Sequence, residues 1–124
     1  MGNLIVWADI PCADVARAKD FYAHVTGQPA MFMPGSDDKI VVLGGPGEDG
    51  GPIVSADLYE GTPSHDGPTI YLGSQGDIDA MVERVREAGG TVLQEKQFMG
   101  DMVGWIAFFE DTEGNRIGIQ QPAK

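Results

Sequence analysis

The feature that most restricts the fold of this chain is a strand–helix unit that occurs twice. The first copy spans Ile5–Gly27 and combines a strand pattern with an amphipathic helix that ends at a glycine. A diverged copy spans Thr69–Gly90. Each copy is followed by three short segments with the composition of strands. We therefore predict an α+β fold built from two βαβββ modules.

Both predicted helices are bounded by residues that suit their ends. Asp14 and Asp77 are predicted N-caps, because a carboxylate accepts hydrogen bonds from the unpaired amides of a first turn. Gly27 and the pair Gly89-Gly90 are predicted to end the helices, because glycine adopts the left-handed conformation without strain, and Gly90 follows Asp77 at the offset at which Gly27 follows Asp14. The apolar residues at helical spacing are Val15, Ala18, Phe21, Tyr22 and Val25, then Ile78, Met81, Val82, Val85 and Ala88.

The remaining segments alternate between strands and turns. The predicted strands are Leu4–Ile10, Ala30–Met33, Lys39–Leu43 and Ile53–Leu58, then Thr69–Gly73, Thr91–Gln97, Gly104–Phe109 and Arg116–Gln120. Pro11 is predicted to end the first strand, and Gly44–Pro52 is predicted to be a hairpin loop. A glycine-rich loop could also bind phosphate, but that would need a following Lys, a Ser or Thr, and a helix start. This segment contains Glu48 and Asp49 and is followed by another predicted strand, so the hairpin loop is favoured. The polar segment Glu60–Pro68 is predicted to link a module at 1–60 to a module at 68–124, within one domain over 1–124.

Charge and cysteine content limit the partners of the chain. The net charge is −11, from 19 acidic against 8 basic residues, which argues against nucleic-acid binding and against anionic membrane surfaces. The single cysteine, Cys12, excludes an internal disulfide and favours a cytoplasmic location. No apolar run approaches the roughly 18 residues of a spanning helix, and the N-terminal residues lack a signal-peptide pattern.

Two stretches carry a family resemblance. DIPCADVARAKDFYAHVTG in the first module and the terminal FFEDTEGNRIGIQQP resemble the vicinal-oxygen-chelate superfamily. This group includes glyoxalase I, extradiol dioxygenases, methylmalonyl-CoA epimerase, and the bleomycin- and fosfomycin-resistance proteins. The resemblance covers nearly the whole chain. It implies a cup-shaped, curved mixed sheet with the helices outside and a ligand inside, and it implies a homodimer.

The resemblance also implies positions at which metal-dependent members carry their ligands. In the first strand that position is Trp7. In the second module it is Ile70, or Thr69 if the following turn contains a one-residue insertion, and in the last strand it is Gly118. The fourth-strand segment Ile53–Ala56 offers no ligand. A divalent ion needs several oxygen, nitrogen or sulfur donors, so we expect no metal and no cofactor.

Three other residues could carry chemistry. His24 is placed on the first helix, outside the cup, and is expected to be structural. His65, in the linker, is expected to be solvated, although it could fold over the mouth of the cup. Alternation places Asp9 inside, where an apolar environment would raise its pKa and let it act as a catalytic base. It could equally pair with Lys96 or Arg116, or lie at the wet rim.

The other inward positions suggest a ligand. Together with Asp9 they are Trp7, Tyr59, Gln120 and, in the register with the insertion, Tyr71. Aromatic side chains with a few polar groups suit a planar or apolar organic molecule, but they could also simply fill a small core. The leading hypothesis is a metal-free binding protein for a small aromatic or apolar ligand, similar to the bleomycin-resistance proteins. The alternative is a glyoxalase I-like lyase or dioxygenase-type enzyme with displaced metal ligands or an Asp9 base.

Overall fold

The computed structural model of the protein describes residues 5–45 and 55–124, and within them the predicted α+β fold is confirmed. The order of strand, helix and three strands occurs twice. The first module contains β1 (Trp7–Cys12), α1 (Val15–Thr26), β2 (Ala30–Phe32), β3 (Ile40–Leu43) and β4 (Ser55–Glu60). The second contains β5 (Ile70–Gly73), α2 (Ile78–Glu87), β6 (Thr91–Phe98), β7 (Trp105–Glu110) and β8 (Arg116–Gln121).

Each module forms its own four-stranded mixed sheet. The strand orders are β1-β4-β3-β2 and β5-β8-β7-β6. The first strand of each module pairs in parallel with the last strand, and the other pairs are antiparallel. Helix α1 packs on the first sheet, α2 packs on the second, and the two helices contact each other. One face of each sheet is therefore buried against its helix, and we call the opposite face of each sheet its open face.

The helix caps follow the prediction at three of four ends. Asp14 and Asp77 accept hydrogen bonds from backbone N–H groups in the first turns of α1 and α2, and Gly27 ends α1 with a φ of 67°. At the fourth end α2 stops before the predicted pair Gly89-Gly90, but the left-handed residue is Gly89, with a φ of 95°, and not Gly90, which has the offset of Gly27. Gly90 is needed for another reason. A Cβ there would lie 2.8 Å from side-chain atoms of both helices.

The first strand continues through its proline, which corrects the prediction that Pro11 ends it. β1 runs to Cys12. Because β1 is an edge strand, the missing N–H of Pro11 costs no sheet hydrogen bond. β4 extends to Glu60, two residues beyond the predicted end. The other six strands lie within one residue of their predicted bounds, and most of the predicted loop Gly44–Pro52 lies outside the described residues.

The side chains of β5 alternate in the register expected if the turn after the strand contains a one-residue insertion. Ile70 and Leu72 pack against the hydrophobic core, and Tyr71 points to the open face. The turn that follows contains Gln75 and Gly76, both with positive φ values, of 60° and 104°. This turn takes up the extra chain length before α2, so a simple count back from the cap of α2 places the wrong residue on the open face.

The turn between β7 and β8 joins the second module to the first. Asp111 is buried there and accepts hydrogen bonds from the Tyr22 hydroxyl at 2.6 Å and from the backbone N–H of Asn115 at 2.8 Å. The Asn115 amide in turn donates to the Pro11 carbonyl at 2.6 Å. Buried polar groups must be hydrogen-bonded to be tolerated. The turn that connects β7 to β8 is therefore also a contact between the two modules.

Glu113 of the same turn extends this contact to the start of α1. Its carboxylate accepts hydrogen bonds from the Asp14 backbone N–H at 2.7 Å and from the Arg17 guanidinium at 2.7 and 2.9 Å. Burial by itself would raise the pKa of the Glu113 carboxyl. The hydrogen bonds from Arg17, Asp14 and Thr112 together outweigh burial and lower that pKa below its ordinary value. Glu113 is thus held as a charged partner of α1.

No helix in residues 5–45 or 55–124 combines the length and the apolar character needed to cross a membrane.

Candidate functional site

The open face of the first module carries a pair of carboxyl groups beside an indole. Trp7 and Asp9 alternate with core residues along β1, and Asp57 lies directly opposite Asp9 on β4. The Trp7 Nε1–H donates to Asp57 Oδ2 at 2.7 Å. The residue Asp57 is only 8% exposed, while Asp9 is exposed. This arrangement sets two carboxyl groups side by side, one sheltered and one open to solvent.

Asp57 is the functional candidate that sequence reasoning missed. The segment Ile53–Ala56, at which the resemblance implies a ligand, ends before Asp57, whereas β4 reaches Glu60 and contains Asp57 near its middle. The signal was present in the run Ser55–Tyr59, where polar residues alternate with Ala and Leu. Period-two alternation places Asp57 on the open face.

The carboxyl group of Asp57 has a raised pKa. Burial first, and then the hydrogen bond and negative charge of Asp9, together raise the pKa of Asp57 from its ordinary 3.8 to about 6, against the lowering effect of the Trp7 N–H. Two carboxylates at hydrogen-bonding distance cannot both remain charged without strong repulsion, so one of them takes up a proton first. Asp57 is therefore a group whose charge changes close to physiological pH.

We expect the emission of Trp7 to titrate with a midpoint near pH 6, because its indole N–H donates to the carboxyl group that titrates there. The measurement is tryptophan fluorescence between pH 4.5 and 8 in a Trp105→Phe background, in which Trp7 is the remaining tryptophan. Asp57→Asn keeps an oxygen acceptor for the indole and removes the titration, so it is the matched control.

The same pair predicts the sign of a stability change. A pKa raised above its unfolded value stabilises the folded state at low pH, and this contribution is lost as pH rises through about 6. The melting temperature of wild type should therefore fall relative to Asp57→Asn between pH 5 and 7. A Trp7 emission that is flat over this range, or that titrates equally in Asp57→Asn, would show that Asp57 does not titrate near pH 6.

The open face of the second module is aromatic. Tyr71 is the direct neighbour of Gly118 across β5 and β8, and its ring lies over that glycine. The ring meets Phe108 edge-on with centroids 5.7 Å apart, and the Arg116 guanidinium lies 4.0 Å from the centroid of Phe108. Arg116 also donates to the Thr69 hydroxyl at 2.7 Å. These contacts fix the ring of Tyr71 from two sides.

A cavity of about 560 Å³ adjoins this aromatic group. Its wall is mostly apolar and includes Tyr71, Leu72, Met99, Val103, Ile106 and Gln120. The Gln120 side-chain amide donates to the Val103 carbonyl at 2.6 Å and so ties the β6–β7 loop to β8. A second cavity, of about 300 Å³, has both Trp7 and Tyr71 in its wall. Tyr71 therefore borders both cavities.

The predicted site residues are divided between the two open faces. Trp7, Asp9 and Tyr59 lie on the first sheet, and Tyr71 and Gln120 lie on the second. Trp7 and Tyr71 meet at the smaller cavity, whereas Tyr59 packs towards Gly61 and lines neither cavity. The aromatic candidates thus converge, apart from Tyr59.

The two bases considered as partners of Asp9 make other contacts, and so do the two histidines. Lys96 pairs with Asp79 at 2.7 Å and Arg116 donates to Thr69, and within residues 5–45 and 55–124 neither base forms an ion pair with Asp9. The histidines form exposed pairs, His24 with Glu87 at 2.9 Å and His65 with Glu110 at 2.7 Å.

Cys12 offers no nucleophile. Burial above all, with the nearby charges of Asp111, Glu113 and Asp57, raises the pKa of its thiol to about 12. A thiol that stays protonated at neutral pH is a poor nucleophile and a poor metal ligand.

The donors present do not fit the metal ion that the resemblance implies. Trp7 donates its N–H to Asp57, the Thr69 hydroxyl accepts from Arg116, and Ile70 packs into the core. Gly118 has no side chain, and the ring of Tyr71 covers it. The described residues contain no group of three His, Cys, Asp or Glu side chains placed to hold a metal. Two neighbouring carboxyl groups in one module are too few donors for a structural or catalytic divalent site.

Known proteins resemble the chain over nearly its whole length. The family model of the Glyoxalase/Bleomycin resistance protein/Dioxygenase superfamily matches residues 4–119. A Glyoxylase-like domain-containing protein of Didymella fabae is 34% identical over 119 residues, which cover 90% of this chain and 88% of that protein. Among solved structures, a glyoxalase/bleomycin resistance protein from Albidiferax ferrireducens T118 has a TM-score of 0.72 and 16% identity, covering 96% of this chain and 98% of the other. TnmS3, an antibiotic binding protein from Streptomyces sp. CB03234, has a TM-score of 0.67 and 25% identity, covering 98% and 97%.

Proposed function

Since the chain belongs to the Glyoxalase/Bleomycin resistance protein/Dioxygenase superfamily, we propose that it binds a small aromatic or apolar organic molecule without a metal ion. The observation that carries this proposal is the apolar cavity of about 560 Å³ beside Tyr71. Its volume lies within the range of roughly 300–1,000 Å³ that is typical of small-molecule sites. The similarity to an antibiotic binding protein supports the same class of function.

The apolar groups around this cavity are only partly covered. Tyr71, Met99 and Val103 are 47%, 48% and 42% exposed. Contiguous apolar surface of this kind is covered favourably by an apolar ligand, because each Å² removed from water contributes about 25 cal/mol. Met99 has a flexible side chain that adapts to ligands of different outline. The wall therefore favours apolar contact over a network of specific hydrogen bonds.

Polar groups at the site are few and already engaged. Gln120 donates its amide N–H to the loop carbonyl of Val103, and Arg116 lies against Phe108. Towards the smaller cavity, Trp7 adds a second aromatic surface next to the carboxyl group of Asp57. We therefore expect a ligand whose bulk is apolar and whose polar groups, if any, point towards Trp7.

We expect Val103→Asp to weaken binding of the neutral fluorescent probe N-phenyl-1-naphthylamine by at least about tenfold, because it places a charge in the apolar wall. The measurement is a fluorescence titration of the probe into purified protein. Met102→Asp is the matched control, since Met102 lies on the same loop but is 98% exposed; its affinity should equal that of wild type.

Two outcomes would count against this function. One is that wild type shows no saturable binding of this probe or of any member of a panel of neutral aromatic compounds. The other is that Val103→Asp and Met102→Asp bind the probe equally well, which would place the binding surface away from the cavity.

A second candidate function, proton transfer at Asp9, is favoured by one observation, the carboxyl pair of Asp9 and Asp57. In this pair Asp57 is the group with a pKa of about 6, which suits general acid–base work at neutral pH, and Asp9 beside it is the exposed member that a substrate would meet. Deuterium exchange at carbons next to a carbonyl would be compared in wild type and Asp9→Asn over a panel of aromatic ketones. Exchange that depends on Asp9 would favour an enzyme over a binding protein.

A further inference from the structure

We propose that Gly118 determines the shape of the ligand: because it has no Cβ, the ring of Tyr71 lies down on β8, and its free side accepts one flat ring system. This inference rests on the proposed function, because it names the class of molecule that the same cavity would take. The class is planar aromatic compounds, as opposed to globular hydrocarbons of similar volume.

The first step of the argument is steric. Tyr71 and Gly118 are paired directly across the parallel strands β5 and β8. A Cβ at position 118 would lie 2.5 and 2.6 Å from two atoms of the Tyr71 ring. Such distances are far inside van der Waals contact, so any side chain at 118 must drive the ring out over the cavity. Gly118 does not have a positive φ, so its backbone would accept alanine and the clash with the ring is the main effect.

The second step is that the ring is held in place before a ligand arrives. One side lies on Gly118, and one edge meets Phe108 at a centroid distance of 5.7 Å. Phe108 is itself held by the Arg116 guanidinium, 4.0 Å from its centroid. A surface that is fixed in advance loses little conformational freedom on binding, which favours affinity. The side of Tyr71 left uncovered borders the cavity.

The third step is the rest of the cavity wall. Met99, Val103 and Ile106 border the same cavity as Tyr71, and Gln120 anchors the loop that carries Val103. A flat ring stacked on Tyr71 inside this cavity would contact these apolar side chains as well. An aromatic ring stacked on Tyr71 should bind about three- to tenfold more tightly than its buried area alone predicts. A globular hydrocarbon cannot gain this contribution.

A purely structural explanation of the same contact also exists. Aromatic side chains in sheets often cover a cross-strand glycine and compensate for its lack of packing. On that explanation Tyr71 stabilises β8 and has no part in binding. The two explanations differ in what happens to ligand shape preference when the contact is altered, and this difference can be measured.

The experiment compares two competitors for N-phenyl-1-naphthylamine, the flat 2-naphthol and the globular 1-adamantanol. Wild type should prefer 2-naphthol. Gly118→Ala should bind 2-naphthol at least about tenfold more weakly, because the displaced ring occupies the space for the flat ligand. In a Tyr71→Ala background, adding Gly118→Ala should change the affinity little, because no ring remains to be displaced. Non-additivity of this kind is the signature of two residues that act through each other.

Gly73→Ala is the matched comparison for an added methyl group on the wall. Gly73 borders the same cavity, and a Cβ there would meet only the Gln75 side chain, at 3.8 Å. Its loss of affinity for 2-naphthol should be clearly smaller than that of Gly118→Ala. Melting temperatures of all variants separate a change in the site from a loss of the fold.

The inference is overturned if Gly118→Ala keeps the affinity and shape preference of wild type, or if it weakens binding equally with and without Tyr71. If Gly118→Ala does not fold, Tyr71→Ala decides, and an unchanged preference for 2-naphthol in that variant overturns the inference. These outcomes concern only the shape of the ligand. Absence of any saturable binding to wild type would instead overturn the proposed function itself.

Discussion

Asp111→Ala is expected to destabilise the protein by about 3–5 kcal/mol, because it leaves several hydrogen-bond donors in a buried network without their acceptor. Asp111 accepts hydrogen bonds from the Tyr22 hydroxyl, from the backbone N–H groups of Glu113 and Asn115, and from the Asn115 side chain. Tyr22 is fully buried, so its hydroxyl would lose its partner in a place that water does not reach. Leaving a buried donor unsatisfied costs roughly 1–3 kcal/mol on its own.

The measurement is urea unfolding at pH 7.5, followed by circular dichroism. Asp20→Ala is the control, since Asp20 is exposed on α1, and it should change the free energy of unfolding by less than about 0.5 kcal/mol. Asp111→Asn keeps one acceptor oxygen and should lie between the two. A loss below about 1 kcal/mol for Asp111→Ala would mean that the contact between modules at this turn contributes little.

Gly104→Ala is expected to cost about 2–5 kcal/mol, from backbone strain and overpacking combined. Gly104 has a φ of 84°, and a Cβ there would lie 2.2 Å from the Gln121 carbonyl oxygen and 2.7 Å from the Ala123 nitrogen. These are backbone atoms that cannot rotate away. The loop would have to move, and with it Met99 and Val103 in the wall of the larger cavity. Binding of N-phenyl-1-naphthylamine should therefore weaken at temperatures where the variant is still folded.

Gly100→Ala separates the effect of backbone strain from that of overpacking. Gly100 lies in the same loop with a φ of 95°, but a Cβ there would meet nothing within 4 Å. It should lose only the roughly 1–2 kcal/mol of left-handed strain and retain binding of the probe. Equal melting temperatures for Gly100→Ala and Gly104→Ala would show that overpacking against residues 121–123 does not reduce the stability of Gly104→Ala.

The repeat, the helix caps at Asp14 and Asp77 and the succession of helix and strands along each module could be predicted because they depend on local chemistry. A carboxylate before an amphipathic segment, or alternation along a strand, acts on its near neighbours in sequence. The errors arose where a distant part of the chain decided the outcome. Pro11 is tolerated because β1 lies at a sheet edge. Gly89 adopts the left-handed conformation, whereas Gly90 has no room for a Cβ because side chains of both helices pack against it.

The candidate site could be predicted only in part, for a related reason. Alternation placed Trp7 and Asp9 on one face of their strand, but it gave no information about which residue would lie opposite them. Asp57 becomes a candidate only when β1 and β4 are paired in register. The importance of Gly118 likewise depends on Tyr71 lying beside it on another strand. A glycine at that position is read from sequence as a missing ligand, although in the folded protein it makes room for a ring.

The contact at the turn 111–115 has a consequence for the order in which the chain can fold during synthesis. Tyr22 is separated from Asp111 by 89 residues, and Pro11 from Asn115 by 104. Contacts between such distant residues form late, because a long loop must close before they contribute. On the ribosome, α1 emerges long before its buried hydroxyl acquires an acceptor. The first module must therefore wait for the turn at 111–115 before its own interior is complete.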